Sequence, residues 1–180
     1  MHIIIAGAAR SGKTTLSLML NKYGFTHYKM DSVKRGICEA YGVKYDKWED
    51  VSPIVCKIIN RIILDNKTDT NFGKEKYLFD TPFVFPKDIS MIDTSDTEVI
   101  FLGYSKALPS EILKTIREKD DNNFWTNEKS DEELLDLIEL DIEYSKQVEE
   151  ECKKLGIKYY DTTYDRDQVL NKIVEEIISK

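Results

Sequence analysis

Short apolar runs alternate along this chain with longer segments in which apolar residues recur every three or four positions. The runs predict strands buried on both faces, and the recurring pattern predicts amphipathic helices. Five strands are predicted, at residues 2–6, 25–30, 77–79, 98–102 and 157–160. The clearest helices are predicted at residues 13–23, 51–64, 109–119, 130–155 and 165–179. Strands separated by helices favour an α/β fold, with one parallel sheet covered by helices on both faces.

Signals at the helix ends support these boundaries. Ser130 and Glu133 have the spacing of a capping box, which predicts that a long acidic helix starts there and ends at Gly156. Pro53 is expected in the first turn of the helix at 51–64, where its missing amide costs no hydrogen bond. Residues 120–129 are polar and are expected to be irregular.

The length and composition are those of one soluble globular domain. The chain has 180 residues, of which 41% are apolar and 33% charged, and we expect one core spanning residues 1–180. No apolar run approaches the roughly 20 residues that cross a bilayer, and the apolar start is too short for a signal peptide, so we expect a cytoplasmic protein without a membrane partner. The three cysteines are widely spaced and contain no CxxC pair, which indicates neither a disulfide framework nor a zinc site.

The charge excludes one large class of partner. The net charge is -7 and the pI is about 5.0, which argues against DNA or RNA because affinity for a polyanion rests on many Lys and Arg contacts. A small anionic substrate remains compatible with this net charge, since a few well-placed cations can make the potential at a binding site positive. The arginines that can grip a phosphate are few: Arg10, Arg35, Arg61, Arg117 and Arg166.

Residues 7–14, Gly-Ala-Ala-Arg-Ser-Gly-Lys-Thr, match the pattern G-x-x-x-x-G-K-[ST] between a predicted strand and a predicted helix. The glycines allow a tight turn in which successive amides point at phosphate oxygens, beside the positive end of a helix. Lys13 is then placed to neutralise the outer phosphates, and the Thr14 hydroxyl to bind Mg²⁺. We predict a site for ATP and Mg²⁺ formed by Gly7, Ala8, Ala9, Arg10, Ser11, Gly12, Lys13, Thr14 and Thr15.

Asp80 ends the apolar run 77–79 and is a candidate for the second Mg²⁺ ligand of such a site. A lone acid at a strand end is also commonly a helix cap or a turn residue. The loop at 7–14 favours the metal role.

Together these features resemble the P-loop kinases of nucleosides, nucleotides and small metabolites, the group that includes adenylate kinase and shikimate kinase. The order of elements agrees over nearly the whole chain, but only residues 7–14 match with high specificity. The resemblance implies a three-layer α/β fold of the P-loop NTPase type with a five-stranded parallel sheet, an acceptor-binding region at about 31–66 and a short lid at about 117–130. It also implies ATP and Mg²⁺ as donor and cofactor, and a small-molecule phosphoryl acceptor.

In this group an acid and an arginine just after the second strand commonly hold the acceptor. Asp31 and Arg35 occupy that place, in a pattern that resembles the Asp-to-Arg element of chloramphenicol phosphotransferase and zeta-toxin kinases. Asp31 would then orient or deprotonate the acceptor hydroxyl; the alternative is that Asp31 caps a helix and Arg35 is solvated. Arg61 is a further acceptor candidate on the polar flank of helix 51–64, where a solvated face is the commoner outcome.

The resemblance also assigns candidates around the donor. Arg117 stands where a lid begins in these kinases and would offset charge on the transferring phosphoryl group, which makes Lys13, Asp31 and Arg117 the predicted catalytic residues. Many relatives carry two or more lid arginines, whereas this chain has one at that place. Residues 160–163 follow the fifth strand, where relatives hold the adenine. The sequence does not decide whether Arg10 contacts the donor phosphates, the acceptor or solvent. Trp48 and Trp125 are expected to anchor loops.

Two other functions compete with phosphoryl transfer. Residues 66–69 spell the guanine-reading motif NKxD of GTPases, but they follow a long helix instead of a late strand, and Asp80 lacks the glycine of a DxxG switch. The second competing function is that of a regulatory protein that hydrolyses ATP without a small-molecule acceptor. The acidic helix 130–155 would then be the face that contacts another protein. We expect a small-molecule phosphotransferase whose acceptor and oligomeric state the sequence does not identify.

Overall fold

A computed structural model of the chain describes residues 1–42, 48–68, 75–119 and 124–179. Its strands are β1 (His2–Gly7), β2 (Phe25–Lys29), β3 (Lys76–Asp80), β4 (Thr97–Gly103) and β5 (Lys158–Asp161). They form one sheet in the order β2-β3-β1-β4-β5, and every neighbouring pair is parallel. The predicted five-stranded parallel sheet is confirmed.

Helices cover both faces of this sheet. They are α1 (Lys13–Asn21), α2 (Met30–Tyr41), α3 (Trp48–Thr68), α4 (Pro109–Lys119), α5 (Phe124–Asn127), α6 (Asp131–Leu155) and α7 (Arg166–Ile178), and a 3₁₀ helix spans Pro86–Met91. Ile4 of β1 packs on one face with residues of α2, α3 and α6, while Ile3 and Ile5 pack on the other with α1 and α7. Successive side chains of a strand point to opposite faces, so the continuous apolar run of β1 serves both layers. Each of these three isoleucines is fully buried, and burial stabilises the fold by about 2 kcal/mol per side chain.

Side-chain caps mark the starts of α6 and α7, and a glycine marks the end of α6. The Ser130 hydroxyl accepts a hydrogen bond from the Glu133 amide, and the Glu133 carboxylate accepts one from the Ser130 amide, so the capping box of α6 is confirmed. Gly156 ends α6 in the left-handed conformation, with φ of 68°. Asp165 caps α7 by accepting from the Gln168 amide at 3.3 Å.

Three local predictions differ from the structure. Helix α3 begins at Trp48, so Pro53 lies inside the helix and not in its first turn; the amide it lacks would have bonded the Glu49 carbonyl, a loss confined to the second turn. The stretch 120–129 contains one helical turn, α5, and places Trp125 in that turn and not in a loop. Nothing in the sequence pattern predicted the 3₁₀ helix Pro86–Met91.

Some expectations lie outside the described residues. They concern residues 120–123 of the lid predicted at about 117–130, Asp69 of the NKxD string, and the side chains of Trp48 and Trp125. In the part of the chain that the structure does describe, no helix has both the length and the apolar character needed to span a bilayer.

The carboxyl ends of all five strands meet at one edge of the sheet. The register pairs Asp80 with both Ile5 and Lys29, and Gly7 with Leu102. Strand β1 lies at the centre of the sheet; the chain goes from it to β2 at one edge, returns through β3, and then crosses to β4 and β5 on the other side. In open parallel sheets ligands bind in the crevice at such a switch point, beyond the carboxyl ends of the strands. This is where the loop 7–14 lies.

Candidate active site

The loop at 7–14 leaves β1 through a glycine that no other residue can replace without a shift. Gly7 has φ of 120°, and a Cβ built on it would stand 1.9 Å from the carbonyl oxygen of Leu102. The Ala8 amide donates to that same carbonyl at 3.0 Å, which ties the loop to β4. Gly12, with φ of 99°, is the N-cap of α1. The loop therefore passes close to β4, and its amides lie beside the N-terminus of α1, which carries the positive end of the helix dipole.

Side-chain hydrogen bonds hold the far side of the loop. The Ser11 hydroxyl donates to the Ala8 carbonyl at 2.9 Å. The buried Thr162 hydroxyl, which follows β5, lies within 3.1 Å of the Ser11 carbonyl and 3.0 Å of the Gly103 carbonyl. The segment after β5, predicted from the resemblance to lie near the nucleotide, is in direct contact with the loop.

Lys13 begins α1 and is 7% exposed. Its ammonium donates to the Ala8 carbonyl at 2.5 Å. Burial lowers the pKa of Lys13 to about 8, although the carboxylates of Asp80, Asp31 and Asp141 oppose that change. A cation held in a desolvated place exerts a strong field on any anion that enters the loop.

The next residue places a hydroxyl against a carboxylate. Thr14 Oγ1 donates to Asp80 Oδ2 at 2.7 Å, and Asp80 is only 5% exposed. His27 Nε2, on β2, lies 3.6 Å from the same carboxylate oxygen. Magnesium in nucleotide sites is typically held by one or two protein oxygens together with phosphates and water. The pair formed by Thr14 and Asp80 fits such an ion.

Small cavities lie around the loop. One of about 220 Å³ is lined by Arg10, Gly12, Lys13, Thr14, Thr15 and Arg166, at the N-terminus of α1. A second, of about 480 Å³, continues from Arg10 and Arg166 to Thr162 and Thr163. Arg10 has a left-handed backbone, with φ of 60°, and lines both. The first has the size and surroundings of a phosphate site, and the second is an adjoining space on the side of β5.

Arg166 was not among the predicted site residues. It opens α7, and a Cβ on Gly12 would lie 3.4 Å from its Cδ, so its side chain rests against the loop. The Asp165 cap fixes the start of α7 and thereby the place of Arg166. No feature of its local sequence signals this, because the contact depends on how α7 docks beside α1.

A third cavity also borders Lys13. Its volume is about 670 Å³, within the ordinary range for a small-molecule site. Its lining residues come from the loop, from α2 and from the segment after β3: Ala9, Arg10, Lys13, Thr14, Asp31, Lys34, Arg35, Asp80, Pro82 and Phe83. It shares Arg10, Lys13 and Thr14 with the phosphate-sized cavity, so both cavities border the same residues of the loop.

Helix α2 brings the predicted acceptor residues to this cavity. Asp31 lies in the first turn of α2, and Lys34 and Arg35 stand three and four positions later, on the same face. The helix starts after Lys29 and has no side-chain cap, so Asp31 does not cap it. Lys34 was missed from the sequence. Its side chain is 2% exposed, and its ammonium lies 3.7 Å from the centroid of the Phe83 ring.

Two predicted arginines lie elsewhere. Arg61 is on the exposed flank of α3, with its side chain 76% exposed and paired with Asp65 at 2.8 Å, and it does not line the cavity of about 670 Å³ that contains Asp31. This is the solvated face that the pattern of α3 favours. The proposed role of Arg61 in acceptor binding therefore has no support from its position.

Arg117 is engaged within the lid region itself. Its guanidinium donates to the Asp131 carboxylate at 2.7 Å and to the carbonyls of Thr126 and Lys129 at 3.1 and 2.8 Å. It thus connects the end of α4 to the start of α6. A contact with a transferring phosphoryl group would require these bonds to be exchanged, and that role stays a prediction.

Comparison with known proteins agrees with this geometry at the level of the fold. No protein-family model and no curated protein matches the sequence. Among solved structures the chain is similar to a gluconokinase from Sinorhizobium meliloti, with a TM-score of 0.56 and 12% identity over 98% of this chain and 95% of that one. It is also similar to a proposed kinase from Chloroflexus aurantiacus, with a TM-score of 0.52 and 15% identity over 99% and 94% of the two chains.

The sequence identities are low, but each structural alignment covers nearly the full length of both chains compared. They agree with the parallel sheet, the helices on both of its faces and the loop at its carboxyl edge. The three-layer architecture expected from the sequence is confirmed, and this chain has the fold of the P-loop small kinases.

Proposed function

We propose that this protein transfers the terminal phosphoryl group of Mg-ATP to a small-molecule acceptor. The observation that carries the proposal is that Lys13 lines two cavities. One is the phosphate-sized cavity at the N-terminus of α1, and the other is the larger cavity that contains Asp31. A nucleotide whose phosphates occupy the phosphate-sized cavity presents its terminal phosphate to the larger cavity.

The residues of the loop would hold the donor. The amides of the loop and the Lys13 ammonium face the phosphates, and the ammonium exchanges the Ala8 carbonyl for a phosphate oxygen. A bound Mg²⁺ would screen the charge of the phosphates, with the Thr14 hydroxyl and the Asp80 carboxylate as its protein partners. In such transfers the protein mainly positions the reactants and stabilises charge.

Asp31 is assigned to the acceptor. An oxygen of the acceptor attacks the terminal phosphorus in line, the bond from that phosphorus to the bridging oxygen of ADP breaks, and the acceptor proton passes to the Asp31 carboxylate. The proton then leaves to solvent and ADP carries away the bridging oxygen. Asp31 lines the same cavity as Lys13 and Thr14 of the loop, which supports this role.

The test is ADP release in a coupled assay against a panel of nucleosides, nucleoside monophosphates and hydroxylated metabolites. We expect release to depend on one class of acceptor. Asp31→Asn should lower kcat roughly 100-fold or more while the Kd for ATP stays unchanged, because general-base catalysis contributes about 10² to 10⁴ in rate. Asp136→Asn, an exposed carboxylate on α6, is the matched control. ATP turnover that no acceptor alters would instead support the ATP-hydrolysing regulatory protein.

A further inference from the structure

His27 on β2 lies on the same face of the sheet as Asp80. The register pairs His27 with Leu78 of β3, and Asp80 follows Leu78 by two residues. Side chains two residues apart along a strand share one face, and α1 covers this one, since Leu78 packs there with Leu16 of α1. The fold therefore brings His27 and Asp80 together with Thr14, which also belongs to α1.

The imidazole of His27 directs a nitrogen at the Asp80 carboxylate without completing a hydrogen bond. His27 Nε2 lies 3.6 Å from Asp80 Oδ2, the oxygen that also accepts from the Thr14 hydroxyl at 2.7 Å. Nitrogen–oxygen hydrogen bonds are typically about 2.7–3.2 Å long, so this contact is too long by about half an ångström. The Nε2 atom is shielded from solvent, and no residue that the structure describes gives it a hydrogen-bond partner.

A buried nitrogen of this kind is not explained by core packing. A polar atom that is buried without a partner destabilises a fold, because it gives up its hydrogen bonds to water. Phe25, two residues earlier on the same strand and face, is buried among apolar side chains. An apolar residue at position 27 would extend that core without the penalty. The position of Nε2 indicates instead that its partner is the carboxylate of Asp80, once that group is drawn into place.

The carboxylate also determines which nitrogen of the ring carries the proton. An unprotonated Nε2 would direct its lone pair at an anionic oxygen, so the tautomer compatible with this arrangement has the proton on Nε2. Asp80 Oδ2 can accept from this N–H and from the Thr14 hydroxyl at the same time. With both donors on one oxygen, the second oxygen of Asp80 can turn to a cation or to a water bound to it. The role requires a hydrogen-bond donor and not a change of charge.

We propose that His27 is a positioning residue for the magnesium site, whose Nε2–H donates to Asp80 Oδ2 when Mg²⁺ and nucleotide bind and holds the carboxylate toward the ion. The inference rests on the proposed function, since it takes Thr14 and Asp80 as the protein partners of Mg²⁺. Groups that orient a metal ligand typically change metal affinity roughly 10- to 100-fold when they are removed. His27 acts through Asp80 and has no assigned contact with the substrate.

The Mg²⁺ requirement of nucleotide binding tests this role independently of transfer. The Kd for ATP is measured calorimetrically over a range of Mg²⁺ concentrations and once in EDTA. His27→Leu removes the donor and should raise the Mg²⁺ concentration for half-maximal effect roughly tenfold or more, while the Kd in EDTA stays unchanged. His27→Gln carries an amide N–H at a similar reach and should keep the requirement within about threefold of the wild type. Thr26→Val, exposed on the opposite face of β2, is the matched control and should behave as the wild type.

A double-mutant cycle measures whether His27 acts through Asp80. Asp80→Ala raises the Mg²⁺ requirement on its own by removing the carboxylate. Adding His27→Leu to this variant should change the requirement by less than about twofold, because the group that His27 positions is gone. Additive effects would show that the two residues act independently and would overturn the proposal.

The outcomes separate this inference from the proposed function. A Mg²⁺ requirement that depends on His27, without transfer to any acceptor, would retain the positioning role and reject the kinase. Equal requirements in the wild type and His27→Leu, or a His27→Gln variant that behaves as His27→Leu, would reject the positioning role and leave the kinase standing. A loss of ATP affinity in His27→Leu that is the same with Mg²⁺ and in EDTA would show a purely structural role and would also overturn the proposal. Thermal unfolding accompanies each variant, and His27→Met replaces His27→Leu if the latter does not fold.

Discussion

Replacing Lys13 with methionine removes a buried charge from the centre of the site, and we expect it to stabilise the protein without ligand. The pKa of this ammonium falls from 10.5 to about 8 on folding, mainly through burial. Each pKa unit corresponds to about 1.4 kcal/mol, so keeping the charged form in the fold costs about 3 kcal/mol at neutral pH. Methionine avoids this cost but loses the hydrogen bond to the Ala8 carbonyl, which contributes about 1 kcal/mol.

The net gain is about 2 kcal/mol, which for a domain of this size raises Tm by about 4–8 °C at pH 7. The gain depends on pH in a defined direction. Below pH 8 Lys13 is charged in both states and the cost is fully present. Between pH 8 and 10.5 the folded chain releases the proton while the unfolded chain keeps it, so the wild type gains stability as the pH rises. Near pH 10 the two proteins should be about equally stable.

Thermal unfolding followed by circular dichroism at pH 7 and pH 10 measures both effects. Lys57→Met, at an exposed position, controls for the loss of one positive charge from an acidic protein and should show no comparable gain. Added Mg-ATP should stabilise the wild type and not Lys13→Met. A variant that is less stable than the wild type at pH 7, or an advantage that does not shrink by pH 10, would refute the reasoning.

Four other predictions follow from the same geometry. Gly7→Ala should destabilise the fold by about 4 kcal/mol, because its Cβ meets the backbone of β4 and its φ is positive, while Gly24→Ala, with open space around it, should cost about 1 kcal/mol; urea denaturation compares them. Asp80→Asn should raise the Mg²⁺ concentration needed for ATP binding roughly 10- to 100-fold in a titration at fixed ATP, and an unchanged requirement would exclude a metal role. Arg117→Gln should cost about 1 kcal/mol of stability through its lost contacts, and no change would show that they contribute nothing. Wild-type affinity for Mg-ATP should fall as the pH rises through 8, because Lys13 then loses its charge; a flat calorimetric profile from pH 7 to 9 would contradict this.

The sheet was predictable because its signals are local and strong. The run at the start of β1 is apolar at every position, and the periodic patterns of α6 and α7 are bounded by caps that the structure contains. The 3₁₀ helix Pro86–Met91 was not predictable in the same way, since it is too short to show a period. The start of α3 was misplaced because Pro53 was taken as a first-turn signal.

The sequence predicted the candidate-site residues that belong to the loop motif or lie at the ends of β2 and β3, and it missed those that only packing brings there. The loop at 7–14 acts through backbone geometry that its own glycines determine, so its motif was sufficient to place it. Lys34 and Arg166 are site residues through packing: Lys34 through the approach of Phe83 after β3, and Arg166 through the docking of α7 beside the loop. The i, i+3 spacing from Asp31 was a signal for Lys34, but it does not reveal burial.

The central claim is that phosphate moves from ATP to an organic acceptor and not to water. Incubation with Mg²⁺, γ-³²P-labelled ATP and the acceptor panel, followed by chromatographic separation of labelled products, tests it directly. We expect an acceptor-dependent organic phosphate in the wild type that is lost in Lys13→Ala, with the fold of the variant intact. Label found only in inorganic phosphate, or an organic product undiminished in Lys13→Ala, would contradict it.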